Sequence, residues 1–275
     1  MNRLLASNFS RLKKNRLFWG ECVCMFVFGV FLVMNKYIEQ VRYHSVEILD
    51  NGFFAYAIAI GLAIAVFGSR FLGTEYSDGT IRNKLIVGHT RPRIYFVNLI
   101  TNIAVAFVLC MCFLVPVLVI GIPLLGTLTV GMNIILWMLL GTFLLAVAFC
   151  SIFTMFSVVC SKEPVVVAAS MLFLLAFFIV AVVVNTKLES PEFITAYSLD
   201  ESGGLEPHTE PNPKYLTESE RVYYQFIYDF LPTGQAIQYA TMSAIHLWQM
   251  PLYSLLLSIG TTAAGVMIFQ HKDIK

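Results

Sequence analysis

Residues 70–93, RFLGTEYSDGTIRNKLIVGHTRPR, decide the fold, because this polar stretch lies between two strongly hydrophobic runs. It contains five basic and two acidic side chains, which are Arg70, Arg82, Lys84, Arg91 and Arg93, and Glu75 and Asp78. The flanking runs are long enough to cross a bilayer, so the residues between them form a loop outside the hydrocarbon. The loop carries its own helix-start and helix-stop signals, which predicts a folded contact surface.

A short helix is predicted within this loop. Ser77, Asp78 and Thr80 are residue types that favour helix N-caps, and the charge of Asp78 suits the positive end of a helix dipole. Residues 81–87 follow with a helical pattern, and Gly88 suits the C-terminal end of a helix.

On this helix, Ile81 and Leu85 lie four residues apart and share a face, with Arg82 and Lys84 to either side. The apolar face could insert into a groove of a cytosolic partner. Alternatively, the helix could lie flat on the inner leaflet, with its cations toward lipid phosphates. The residues of the loop leave both interpretations open.

The composition is typical of a membrane protein. Of 275 residues, 58% are hydrophobic and 13% are charged, whereas about a quarter of the residues in a soluble domain are charged. Six spans are predicted, at residues 17–34, 53–72, 94–120, 133–160, 164–185 and 247–269, and Pro116 and Pro123 are expected to end the third. The predicted fold class is all-α, with one integral membrane domain over residues 1–275.

Lys and Arg are distributed unevenly between the two sides of these spans. With both termini on one side, that side holds 13 of these residues and the other side holds five. Cytoplasmic loops are enriched in Lys and Arg. We therefore expect both termini and the loop at 73–93 in the cytoplasm, and the segment 186–246 outside the cell.

Residues 1–16 are predicted to form an amphipathic helix. Leu5, Phe9 and Leu12 fall on one helical face, and basic residues surround them. This pattern is typical of a helix that lies on an anionic membrane surface. A disordered basic tail that only sets the topology is the alternative.

The outer segment 186–246 is predicted to be irregular in its first half and helical in its second. Thr217 and Glu220 have the spacing of a capping box. The helix that they start carries an apolar stripe at helical spacing, formed by Val222 together with Tyr223, Phe226, Ile227 and Phe230. This stripe is interpreted as an extracellular gate over an opening between the spans. Alternatively, the helices of this segment lie in the headgroup layer or pack on the outer ends of the bundle.

The spans offer few reactive groups. The third to sixth contain no Asp, Glu, Lys or Arg, and Glu21 in the first lies near its cytoplasmic end, where it can reach water. Ion-coupled carriers place ionisable groups in their spans, so this pattern favours a pathway for an apolar or amphipathic substrate. Motifs of metalloproteases, serine hydrolases and phosphate-binding loops are absent from the sequence. We expect no catalytic residue, metal site or cofactor on this chain.

A family resemblance is carried by the residues Gly73-Thr-Glu75, Gly79-Thr80-Ile81, Leu85 and Gly88-His-Thr-Arg91, and by the ending Phe269-Gln-His-Lys272-Asp273-Ile274. This ordered set resembles the ABC-2 type transporter permeases, and the basic helix at 1–16 and the six spans extend the resemblance along the chain. It implies an elbow helix at 1–16 and a coupling loop at 73–93 that docks on an ATP-binding subunit. The implied coupling residues are Glu75, Asp78, Gly79, Thr80, Ile81, Arg82, Lys84, Leu85 and Arg91, with Ile81 and Leu85 as the contact face.

The resemblance also implies partners. Two ATP-binding cassette subunits would hold ATP and Mg, and a second copy of the permease (a homodimer) or a sister permease would complete the membrane part. Membrane lipid would surround the spans, and no nucleic acid is expected to bind. The implied function is export, from a bacterial plasma membrane, of a peptide, toxin, drug or lipid-like compound. The alternative is a membrane immunity or sensing protein that binds an extracellular peptide without transport.

Overall fold

The computed structural model describes residues 1–44, 48–160, 162–199 and 205–273. Its elements are, in order, α1 Asn2–Lys13, α2 Arg16–Tyr43, α3 Tyr56–Ser77, α4 Thr80–Ile86, α5 Arg91–Leu125, α6 Met132–Cys160, α7 Glu163–Leu188, β1 Phe193–Leu199, β2 Leu205–Pro211, α8 Glu218–Phe230, α9 Pro232–Ala240 and α10 Gln249–His271. Six of these helices (α2, α3, α5, α6, α7 and α10) are long and apolar enough to cross a membrane. The predicted all-α membrane fold is therefore confirmed.

Helix α3 lies at the centre of the bundle. It packs against α6, α7 and α9, while α2 packs on α5 and α10 packs on α6. Near its start, the Tyr56 hydroxyl hydrogen-bonds to the Thr142 hydroxyl of α6 at 2.7 Å. One turn later, Gly61 allows the Phe149 ring to approach so closely that a Cβ there would lie 3.0 Å from it. Helix α3 therefore connects the buried core directly to the loop at 73–93.

Helices α2 and α5 are longer than the predicted spans. Helix α2 continues to Tyr43. Helix α5 continues through Pro116 and Pro123, so the expectation that these prolines end the span is wrong. A proline removes one helical hydrogen bond, but close packing supports α5 here, because a Cβ on Gly29 of α2 would lie 2.8 Å from the Phe113 carbonyl oxygen.

The outer segment contains more regular structure than the sequence predicted. In its first half, β1 and β2 pair antiparallel, with Phe193 opposite Pro211, so the prediction of irregular structure is wrong for these strands. The predicted capping box is present at the start of α8. The Glu220 carboxylate accepts hydrogen bonds from the Thr217 backbone N–H at 2.9 Å and the Thr217 hydroxyl at 2.7 Å. These bonds lower the pKa of Glu220.

Candidate functional site

The loop at 73–93 places α4 between the end of α3 and the start of α5. Helix α4 begins at Thr80, and its N-cap is Gly79, which has a φ of 68°. Glycine adopts this left-handed conformation without steric strain. The prediction that Ser77, Asp78 or Thr80 caps the helix is wrong, because no side chain forms a cap hydrogen bond there.

The end of α4 lies where the sequence predicted it. Gly88 has a φ of 94°, and its N–H donates to the Leu85 carbonyl at 2.9 Å. The His89 N–H donates to the Lys84 carbonyl at 3.1 Å. This pair of bonds forms a Schellman motif, which satisfies two carbonyls at the helix end and turns the chain toward α5.

The inward face of α4 is formed by Ile81, Lys84 and Leu85, which share one side of a helix. Ile81 is 1% exposed and belongs to the hydrophobic core, and Leu85 packs against that core while partly buried. The prediction that Ile81 lies on an exposed contact face is therefore wrong. In this conformation its side chain holds α4 against the bundle.

The outward face of α4 contains Arg82, Asn83 and Ile86, all of them exposed, and Val87 follows at the end of the helix. Ile86 is 74% exposed and Val87 is 76% exposed. Two adjacent apolar side chains with this exposure, beside the Arg82 guanidinium, form the surface that the loop presents outward. We call these four residues the outer α4 surface.

Glu75 anchors the inward face. Its side chain is 0% exposed and lies 2.8 Å from Arg11 Nη1 of α1 and 2.6 Å from Lys84 Nζ of α4. The Asn98 side-chain amide of α5 donates to the other carboxylate oxygen at 3.1 Å. A buried carboxylate is stable only when it is paired and hydrogen-bonded, and Glu75 has partners on three different helices.

Two side chains of α1 extend this cluster. The Asn8 amide donates to Asn98 Oδ1 at 2.9 Å and its oxygen accepts from Lys84 Nζ at 3.4 Å. Arg11 donates to the Phe71 carbonyl at 2.8 Å and lies 3.7 Å above the Phe71 ring. Burial lowers the pKa of the Arg11 guanidinium, and the Glu75 carboxylate opposes that effect. We call Asn8, Arg11, Glu75, Lys84 and Asn98 the Glu75 network; it joins α1, α3, α4 and α5.

Three members of the Glu75 network, Asn8, Arg11 and Asn98, were not predicted from the sequence. Asn8 is buried together with Leu4 and Leu12 on one face of α1. Their spacing of four residues was a visible signal, although the predicted face centred on Leu5 and Phe9. Asn98 interrupts an apolar run, and a buried amide in such a run needs a partner.

Arg91 joins the start of α5 to the end of α10. Its Nη1 donates to the carbonyls of Phe269 at 2.8 Å, Gln270 at 2.9 Å and Lys272 at 2.6 Å. Lys272 in turn donates to the carbonyls of Val158 and Val159 at the end of α6, and burial lowers its pKa. Helices α1 and α4 and the end of α10 therefore lie at one end of the bundle. Ile274, the last residue of the resemblance, lies outside the described residues.

A comparison with protein families agrees with this geometry. The model of the family described as ABC-2 family transporter protein matches residues 4–274. The chain belongs to the ABC-2 transporter family. A comparison with curated proteins found no match. Family membership confirms the resemblance and makes the chain a membrane subunit that works with ATP-binding subunits.

The predicted gate residues lie at the other end of the permease, and their side chains pack in different directions. Phe226 and Phe230 stack with their ring centroids 6.0 Å apart, and both contact Tyr253 of α10. Ile227 packs toward α7, and Tyr223 is 63% exposed. A gate function for these residues stays a prediction.

A second buried polar cluster holds α8 and α9 together at this end of the permease. Asp229 is 1% exposed, and its Oδ1 accepts from the Gln225 amide at 2.7 Å and the Gln238 amide at 3.0 Å. Its Oδ2 lies 2.7 Å from His246 Nδ1. This cluster, which was not predicted from the sequence, joins α8, α9 and the segment before α10.

Metal-ligating side chains do not form a cluster within the part of the permease that the structure describes. No three side chains of His, Cys, Asp or Glu come together there in a way that could hold a metal ion.

Proposed function

We propose that this permease exports an amphipathic or hydrophobic substrate, driven by ATP that separate subunits hydrolyse while docked on the outer α4 surface. The end of the bundle with α4 and both termini would face the cytoplasm of a bacterial plasma membrane. The side assigned to the cytoplasm holds 13 of the 18 Lys and Arg residues, which supports this orientation.

The observation that carries the proposal is the two-sided arrangement of α4. Its inward face is fixed by Ile81 and by the ion pairs of Glu75, while Arg82, Ile86 and Val87 are exposed. A force applied to the outer α4 surface would therefore reach α1, α3 and α5 through direct contacts. The proposed contact face thus moves from Ile81 and Leu85 to the opposite side of the same helix.

The spanning helices support an uncharged pathway. Helices α5, α6, α7 and α10 contain Asp, Glu, Lys or Arg only in their terminal turns, so a substrate that crosses along them meets mainly apolar surface. A complete transporter would contain two permease chains, either two copies or a sister pair, and two ATP-binding subunits that hold ATP and Mg.

The docking step can be tested by capture of the partner. A tagged permease in membranes should co-purify an ATP-binding subunit, identified by mass spectrometry. Ile86→Asp combined with Val87→Asp should lower its recovery at least tenfold, because two charges would replace the apolar contacts. The matched control is Val222→Asp, which alters a side chain that is 73% exposed at the other end of the bundle. Unchanged recovery with the double variant would exclude the outer α4 surface as the docking site.

A further inference from the structure

A groove between α2 and α3 contains an acidic side chain among apolar ones. Its volume is about 430 Å³, and its lining includes Leu17, Met25, Phe28, Ala59, Leu62 and Ala63, together with Glu21. Glu21 lies early in α2, and therefore at the end of the bundle that carries α4. Leu62 is 53% exposed, so the groove opens on the surface of the bundle.

The carboxylate of Glu21 has an unsatisfied atom. Its Oε2 is buried and has no hydrogen-bond partner among the residues that the structure describes. Burying a polar group without a hydrogen bond costs about 2–7 kcal/mol, and burying an unpaired charge costs more. Ionisable groups at membrane depth therefore usually mark functional sites.

The carboxylates that are buried in the described ranges, those of Asp50, Glu75 and Asp229, are paired, which sets Glu21 apart. Glu75 accepts from three helices, and Asp229 accepts from two amides and contacts His246. Asp50 accepts from the backbone N–H groups of Thr129 and Val130 at 3.0–3.2 Å. Packing of the fold thus satisfies these buried acids and leaves Glu21 directed into the groove.

We propose that this groove binds a cationic amphiphile, with the cation at Glu21 and the apolar part against α2 and α3. The charge is complementary, because a cation supplies the partner that Oε2 lacks, and apolar side chains line the rest of the groove. The proposal rests on the proposed function in one respect: the occupant is taken to be the exported substrate, whose class it narrows from any amphipathic compound to cationic ones.

Two probes of similar size and shape but opposite charge test the assignment: tetraphenylphosphonium and tetraphenylborate. Binding is measured on the full chain in phosphatidylcholine nanodiscs, with empty nanodiscs subtracted and no ATP-binding subunit present. Wild type should bind the phosphonium more tightly than the borate. Glu21→Gln should weaken phosphonium binding at least tenfold and leave borate binding equal or tighter. The control Glu39→Gln, at an exposed position of the same helix, should change neither.

A second variant keeps the carboxylate and fills the space. Ala63→Leu should weaken binding of both probes, because the larger side chain occupies the groove, and it decides the matter if Glu21→Gln fails to fold. The proposal is overturned if wild type does not prefer the phosphonium, if Glu21→Gln binds it like wild type, or if Ala63→Leu has no effect. Because no ATP-binding subunit is present, these outcomes do not depend on the docking experiment. Absence of any co-purified ATP-binding subunit would refute the proposed function, and failure of the probe experiment would refute only the substrate class.

Discussion

Glu75→Gln should release α4 from the bundle without changing the outer α4 surface. The side chain of Lys84 is 11% exposed and that of Arg11 is 35% exposed, so the variant leaves the lysine charge largely buried while the arginine regains some water. Removing one partner of a buried ion pair costs about 3–5 kcal/mol, and the partial exposure of Arg11 favours the lower end. At about 1.4 kcal/mol per factor of ten, about 3 kcal/mol shifts the local opening equilibrium of α4 by about 100-fold.

Amide hydrogen exchange, followed by mass spectrometry on peptides that cover residues 80–88, measures this opening. Exchange should become about 100-fold faster in Glu75→Gln, if α4 opens locally before the whole protein does. Asp78→Asn, at an exposed position of the same loop, should stay within about twofold of wild type. Adding Lys84→Met should recover part of the protection, because no uncompensated ammonium is then buried. Protection that is unchanged in Glu75→Gln would refute the view that the Glu75 network holds α4.

Three further predictions concern packing and polar contacts. Gly265→Ala should lower the free energy of unfolding by about 1–3 kcal/mol, because its Cβ would lie 2.3 Å from Tyr95 Oη. Gly260→Ala, where nothing lies within 4 Å of the added Cβ, should not destabilise α10. Denaturant titration measures the free energy of unfolding of both variants, and equal losses would contradict the close contact between Gly265 and Tyr95. Arg91→Gln should speed proteolysis after residue 268, because three carbonyls at the end of α10 lose their hydrogen-bond donor. An unchanged rate of proteolysis would show that Arg91 does not hold this end of the chain. Asp229→Ala should lower the stability of the outer helices by about 1–3 kcal/mol, because buried side-chain amides lose their acceptor. Amide hydrogen exchange in α9 should then become faster, and unchanged exchange would mean that the amides find other partners.

Periodicity and length predicted the spans and the existence of α4, but the sequence did not reveal which way α4 faces. The helix has apolar side chains on two sides, with Ile81 and Leu85 on one and Ile86 on the other. The side of α4 that packs against the bundle is the one that carries Lys84, because Glu75 lies there as a buried counter-charge. That contact joins two helices and cannot be found from the pattern of the loop alone.

The two strands of the outer segment could not be predicted from its composition. Its first half is rich in Glu, Pro and Gly, a composition that disfavours strands, yet β1 and β2 form a hairpin. Pro211 lies at the end of β2 opposite Phe193, at an edge where a missing N–H is tolerated. By contrast, the capping box at Thr217 could be predicted, because both partners lie within four residues of each other.

The unbroken course of α3 has a geometric consequence. Within its 22 residues, Gly61 lies beside the Phe149 ring and Glu75 lies in the Glu75 network, and the helix between these two positions is a rod about 21 Å long. For a rod of that length, a tilt of about 8° at one end displaces the other by about 3 Å. That displacement is about the distance that separates the Phe149 ring from a Cβ at Gly61 (3.0 Å). An angular change of this size at the Glu75 network would thus be large enough to repack aromatic side chains about four helical turns away.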